Sequence, residues 1–272
     1  MHASRVLFAS LSGKIALFEE VVRDVKSHNS DSVVIGADCN PDCSGAAQVE
    51  HFITMPRLDK LSDKDLVQFC VESEITHVLP TRDGELNFWA TRRHLLTNIG
   101  VTPWVSGESF IKSCEDKIDF FQKWKDSAIP SIPTFNKIKS SMAKSWVVKE
   151  RKGSASRKIG LNLSAERAAK ISKDLIDPIF QPFIVGKEFS AETWVSHINK
   201  CHGVLLRWRN KVVNGESHHT TVFRNSIWEA KLKKVFEHQS GARGHCLAQV
   251  LVDSSGGLHL IEINPRVGGA SP

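Results

Sequence analysis

Over the first hundred residues, short apolar runs alternate with longer stretches whose apolar positions recur every three or four residues. Arg5-Val6-Leu7-Phe8-Ala9 has the pattern of a buried strand, and Ser10-Leu11-Ser12-Gly13 that of a turn. Ile15, Leu17, Phe18, Val21, Val22 and Val25 then fall at helical spacing. Ser32 to Gly36 predicts a second strand ending at Asp38, Ser62 to Glu72 a helix, Thr76 to Pro80 a strand and Glu85 to Leu96 another helix. This βαβ rhythm implies a parallel sheet with helices on both faces. Ligands of such sheets sit beyond the carboxyl ends of the strands, where Asp38, Thr81, Arg82, Asp83 and Glu85 fall. The same residue types start helices, so cap and ligand contact stay open as roles. The turn after the first strand lacks the second and third glycines of a dinucleotide fingerprint, which disfavours NAD.

The pattern changes near Ser109. Phe110 to Ala128 is amphipathic at helical spacing, and Ile129-Pro130-Ser131-Ile132-Pro133 closes it. A strand over Ser145 to Lys149, a Gly/Ser loop, a helix over Ser164 to Leu175 and a strand over Ile179 to Ile184 follow. The remainder predicts antiparallel strands over Glu188 to Val195, His202 to Trp208, Cys246 to Val252 and Leu258 to Ile263, with a helix near Ile227 to Gln239. Asp253-Ser254-Ser255-Gly256-Gly257 is hairpin chemistry.

Composition is that of an ordinary globular protein: 41% hydrophobic and 24% charged over 272 residues. No apolar run approaches the length of a membrane span, and the opening residues do not form a signal peptide, so a cytoplasmic location is expected. Among six cysteines only Cys39 and Cys43 are close, so reduced, mostly buried thiols are expected rather than a metal site. His218 and His219 do not join them, because neighbours on a strand point to opposite faces. The net charge of +6 concentrates between Lys137 and Lys158 around a small-residue turn, which suits a compact polyphosphate better than a nucleic acid.

Three segments carry chemistry. In His259-Leu260-Ile261-Glu262-Ile263-Asn264-Pro265-Arg266, strand alternation puts Glu262 and Asn264 on one face. Two such oxygen ligands suit Mg²⁺, Gln249 on the paired strand offers another, and Arg266 adds a planar fork for phosphate. In Val147 to Arg157 an apolar strand delivers Lys149 and then a small-residue loop whose N–H groups can approach phosphate oxygens. In Gln181 to Ser190 an extended segment can pair with an adenine edge, and Glu188 can accept from ribose hydroxyls.

Taken in this order, the three segments resemble the ATP-grasp superfamily, with the closest likeness to its carbamoyl-phosphate-synthetase-like branch, which includes amino-acid ligases. The resemblance spans essentially the whole chain. It implies an α/β Rossmann-like (pre-ATP-grasp) domain over 1–108, then an α+β ATP-grasp domain of two subdomains, a lid over 109–185 and a metal-binding part over 186–272. Leu79-Pro80-Thr81-Arg82-Asp83 resembles the family's proline-threonine-x-aspartate stretch, and Asp116-Lys117 its Asp-Lys/Arg pair. The resemblance assigns Lys117 and Lys149 to the nucleotide phosphates, Gly153, Ser154, Ala155 and Ser156 to the mobile loop, and Phe183 and Ile184 to the adenine hinge. It assigns Glu188 to the ribose, Gln249, Glu262 and Asn264 to the metal, and Arg266 to the terminal phosphate.

The loop departs from the family in having only Gly153 as glycine, and Gln249 lies one residue nearer to Glu262 than in some relatives. The chain also ends at Ala270-Ser271-Pro272, where relatives continue, so a fragment or completion by another subunit is expected. The implied chemistry is Mg-ATP-dependent phosphorylation of a carboxylate, with Mn²⁺ as an alternative metal, and attack of an amine on the acyl phosphate. The rival expectation is a non-catalytic ATP-binding subunit. Arg207, Arg209 and Gly215-Glu216-Ser217 are candidates for the acceptor side, with a surface salt bridge the competing role for Arg207 and a second metal a further role for Glu216. Small molecules are the expected partners, with no nucleic acid or membrane and with self-association open.

Overall fold

Val6, Leu7, Phe8 and Ala9 are each no more than 2% exposed. Consecutive burial of this kind requires a strand covered on both faces, as in the middle of a parallel sheet. In the computed structural model, which describes residues 3–139, 141–153, 159–213, 215–238 and 240–268, this strand is β1 (Arg5–Ala9). The side chains of residues 216 and 238 lie outside the description. Among the described residues no helix is long and apolar enough to cross a membrane.

The chain packs as two units. The first holds the chain up to Glu108, the short stretch Arg243–His245 and the segment that starts at Arg266. After β1 come α1 (Ile15–His28), β2 (Val33–Asp38), β3 (Phe52–Thr54), α2 (Asp63–Glu72), β4 (His77–Pro80), α3 (Asp83–Thr91), α4 (Arg93–Thr97) and β5 (Thr102–Pro103). The sheet order is β3-β2-β1-β4-β5, parallel throughout. Phe8, Leu11, Phe18, Val34 and Leu79 form a core with Val267 from the far end of the sequence.

The helix expected over 85–96 is two helices. Arg92 leaves the helical region (φ −98°, ψ 6°), and its guanidinium bonds Asp63 Oδ1 at 2.8 Å and covers the Phe88 ring. The carboxyl-end residues divide between turn and cap work. Asp38 accepts from the N–H groups of Ser12 (2.9 Å) and Asn40 (3.0 Å). Glu85, 1% exposed, accepts from the N–H groups of Thr81 (2.8 Å) and Arg82 (2.9 Å) and from Trp89 Nε1 (3.2 Å). Three of the six cysteines, Cys70, Cys201 and Cys246, are buried; Cys39 is exposed and Cys43 and Cys114 are half-buried, so burial is less general than expected.

The second unit holds Ser109–Ala242 and Cys246–Pro265. Its elements are α5 (Glu108–Glu115), α6 (Lys117–Trp124), β6 (Trp146–Glu150), β7 (Gly160–Leu163), α7 (Ala165–Ile171), β8 (Pro178–Pro182), β9 (Gly186–Val195), β10 (Cys201–Val213), β11 (Glu216–Phe223), α8 (Ser226–His238), β12 (Gly244–Asp253) and β13 (Leu258–Asn264). They build a three-stranded sheet, β7-β6-β8, and a five-stranded sheet, β11-β10-β9-β12-β13. Leu232, Val235 and Phe236 of α8 pack with Phe189, Leu206, Ala248 and Leu260 of the larger sheet. At the start of β9, Gly186 lies so close to the Val252 carbonyl that any Cβ would collide with it. The helix expected over 110–128 breaks at Asp116, whose extended backbone (φ −101°, ψ 111°) and side chain cap α6 instead of continuing α5.

Candidate active site

The two sheets of the second unit bound a cleft of about 1450 Å³. Its smaller-sheet wall is set by register. In β6, Val147 and Lys149 face the cleft while Trp146 and Val148 enter the core, and Val147 pairs across to Gln181 and Lys149 to Ile179. Burial pushes the Lys149 ammonium down to about 8, with Glu262 pulling it up and Lys117 adding to the depression.

Lys117 owes its place to the cap at Asp116. The Asp116 carboxylate accepts from the N–H groups of Ile118 (3.0 Å) and Asp119 (3.2 Å) and from Arg151 Nε (2.9 Å). Its net shift is downward, because the Arg151 and backbone hydrogen bonds outweigh the upward push of burial. Lys117, first residue of α6, donates its ammonium to the carbonyls of Arg151 (3.2 Å) and Gly153 (3.1 Å). Gly153 takes φ +125°, which favours glycine at the entrance to the loop. Ser154, Ala155 and Ser156 lie outside the described residues.

Pro182 to Val185, which include the residues expected to form the hinge, line the cleft. Pro182 has no N–H, and the Phe183 N–H is donated to the Ser145 carbonyl (2.9 Å). The main-chain N–H groups of Ile184 and Val185 have no partner among the described residues. Beyond the hinge, Glu188 meets Arg209 at 3.4 Å, and Arg209 Nη2 donates to the Gly215 carbonyl at 2.8 Å. Burial pushes the Glu188 carboxyl up against the pull of Arg209.

The larger sheet supplies Gln249 and Glu262, which are direct cross-strand partners. Between Gln249 and Val250 the register shifts, so that β13 carries one extra residue, Ile261. This bulge turns both Ile261 and Glu262 to the cleft. Asn264 Nδ2 donates to Glu262 Oε1 at 3.0 Å, so these two share a face. Among the described residues no group of three His, Cys, Asp or Glu side chains is arranged to hold a metal. The donor set here is one carboxylate with two amide oxygens, and that chemistry fits Mg²⁺ bound largely through phosphate and water.

Arg266 packs with the first unit and forks onto Asp83. Arg207 is 3% exposed and ion-paired with the buried Glu192, which replaces the surface salt bridge considered for it. Two residues of the site went unassigned in the sequence. Arg151 stands among the cations flanking the small-residue loop without a signal for its pairing with Asp116, whereas Gln181, two positions from Ile179 on the same strand, is open to the alternation argument.

A family model for the ATP-grasp domain matches residues 114–270, more than half of the chain. The chain belongs to the ATP-grasp family. A second model, the PylC-like N-terminal domain, matches residues 6–104. Among solved structures this ATP-grasp chain is similar to the biotin carboxylase domain dimer of the Hydrogenobacter thermophilus 2-oxoglutarate carboxylase, solved with MgADP, ADP and bicarbonate. The TM-score is 0.76 at 14% identity, over 98% of this chain and 65% of that one. It is also similar to N5-carboxyaminoimidazole synthetase from Staphylococcus aureus complexed with ADP, with TM-score 0.68 at 16% identity over 97% and 70% of the two chains. The L-amino acid ligase from Bacillus licheniformis gives 0.65 at 19% over 99% and 68%. At these identities the likeness is one of fold. The chain spans just under two thirds of the length of the first of these structures. No curated protein matches the sequence.

Proposed function

We propose that this chain is a carboxylate–amine ligase that binds Mg-ATP in the cleft of its second unit and phosphorylates a carboxylate. The observation that carries the reading is the convergence of Lys117, Lys149 and Glu262 on one cleft whose outer edge is the hinge. Lys117 and Lys149 bind and neutralise the phosphates, the hinge takes the adenine, and Glu188 accepts from the ribose. Gln249, Glu262 and Asn264 would hold Mg²⁺, or Mn²⁺, which when bound neutralises charge on the phosphates and aligns the one transferred. The resemblance assigns Arg266 to the terminal phosphate, and Asp83 holds its fork.

In the first step an acceptor carboxylate oxygen bonds to the γ-phosphorus and the bond to the bridging oxygen breaks, releasing ADP. In the second, an amine attacks the acyl carbon, phosphate leaves and the amine proton passes to solvent or phosphate. Positioning and electrostatics suffice for the transfer, so no protein nucleophile is invoked. The spacing of the metal strand and the hinge supports the carbamoyl-phosphate-synthetase-like branch.

Thermal unfolding with and without Mg-ATP tests the reading. Nucleotide at a hundred times its dissociation constant stabilises the native state by about 2.7 kcal/mol, a rise of a few degrees. The rise is expected in the parent chain and lost in Glu262→Ala. Carboxylate-dependent ADP release then follows in a screen of amino acids; a folded chain that shows neither rise nor release overturns the proposal.

A further inference from the structure

Gln181 is 5% exposed and Thr134 is 4% exposed. The Thr134 hydroxyl donates its single proton to the Ile132 carbonyl (3.0 Å). Its oxygen is thereby left to accept, and it receives a hydrogen bond from Gln181 Nε2 at 2.8 Å. A hydroxyl has one proton, so this chain has one polarity. The Gln181 amide therefore points its nitrogen at Thr134, and its oxygen, which has no partner among the described residues, is left as the acceptor of a residue that lines the cleft beside the hinge.

The position of Thr134 is itself fixed from both sides. Ile132 N–H donates to the Leu260 carbonyl (3.1 Å), and Phe135 exchanges hydrogen bonds with Phe180 (2.8 and 2.9 Å). The Pro130-to-Phe135 segment is therefore pinned to both sheets, and Pro133 restricts it further.

We propose that Thr134 is a positioning residue for base selection: by fixing the flip of the Gln181 amide it offers an acceptor to the base, favouring a purine with a 6-amino group over one with a 6-oxo group. The inference rests on the reading that the hinge takes a purine nucleotide. An acceptor facing an acceptor in a dry site leaves both unsatisfied, and discrimination of about tenfold or more follows.

The test measures dissociation constants of the Mg complexes of ATP and inosine triphosphate for the parent chain, Thr134→Val and Thr134→Ser. The parent is expected to favour ATP. In Thr134→Val the amide is free to turn its nitrogen to the oxo group, so the inosine-to-ATP ratio of dissociation constants falls about tenfold, mainly through tighter inosine triphosphate. Thr134→Ser keeps the hydroxyl and the parent ratio. Hinge contacts to N1 of the purine are common to all three proteins and cancel when the ratios are compared. Gln181→Leu, as a second route to the same readout, lowers the ratio by weakening ATP. Equal affinities in the parent overturn the selection by Gln181, and an equal loss for both nucleotides in Thr134→Val overturns the positioning role; either result leaves the nucleotide site standing. A folded parent that binds neither nucleotide removes the nucleotide reading and this inference with it.

Discussion

Arg266 and Asp83, 183 positions apart, share two parallel hydrogen bonds, Nε to Oδ1 at 2.5 Å and Nη2 to Oδ2 at 2.7 Å. Arg266 Nη1 also reaches the Val267 carbonyl at 2.9 Å. A fork of this kind is orientational as well as electrostatic. Any phosphate contact by Arg266 therefore has to compete with a carboxylate already in place. The pair is partly exposed, with side chains 19% and 32% accessible, which limits its worth to about 1 kcal/mol. Asp83→Asn and Arg266→Lys are each expected to lower the melting temperature by roughly 2–4 °C. The double variant should lose no more than either single one; additive losses in thermal unfolding would show that the two do not act as a unit.

The cleft lysine sets a pH dependence of two opposite signs. Burial pushes the Lys149 ammonium down to about 8 from its ordinary value of 10.5. Between these values the unfolded chain binds more protons, so the contribution of Lys149 to folding stability rises with pH across that window and is at its least favourable below it. In the role proposed for Lys149, phosphate binding needs the charged form. Affinity for Mg-ATP is therefore expected to fall above pH about 8, by up to tenfold per unit, and to be flat in Lys149→Met. Titration calorimetry between pH 7 and 9.5 decides it: a parent profile as flat as that of the variant removes Lys149 from the phosphate site.

Glu85 separates the two roles left open for the residues after the strands. Its carboxylate takes three donors within 3.2 Å while 1% exposed. Glu85→Ala strands those donors and is expected to cost about 2–4 kcal/mol of stability, with the increment given by Mg-ATP unchanged. A ligand-contact role would reverse this, with little loss of stability and a reduced increment.

The parts of the fold set by periodicity were legible. Val6 to Ala9 follow from an unbroken apolar run, and the face shared by Glu262 and Asn264 from alternation. The parts set by pairing were not. Phe52–Thr54 and Thr102–Pro103 are strands of three and two residues, too short for a period to emerge. Glu216–Phe223 is a polar edge strand, held by its partner β10 and not by its own pattern. The bulge at Ile261 exists only relative to β12. Arg207 looks like any strand cation until Glu192 appears 15 residues away and buried with it. The break at Asp116 was a local signal, but the apolar spacing of Phe110, Phe120 and Trp124 ran through it.

Asp116 joins helix capping to the base of the glycine-bearing loop, so its removal has two consequences. The first is loss of the α6 cap and of the Arg151 ion pair, with the Asp116 side chain 6% exposed. Asp116→Ala is expected to cost about 3 kcal/mol and roughly 6–10 °C. The second concerns acid. The folded carboxyl is held below its ordinary value of 3.8, so its stabilisation is complete above the ordinary range and is lost as pH falls through the folded value. The parent should therefore lose stability on the acid side of pH 4 more steeply than Asp116→Ala. Arg151→Met should show part of this flattening with a smaller loss at neutral pH, because the N–H donors of Ile118 and Asp119 still have their acceptor and still hold the carboxyl down. Denaturant melts at pH 3 and pH 7 measure both, and parallel acid limbs in all three proteins would contradict the assignment of the low carboxyl to this pair.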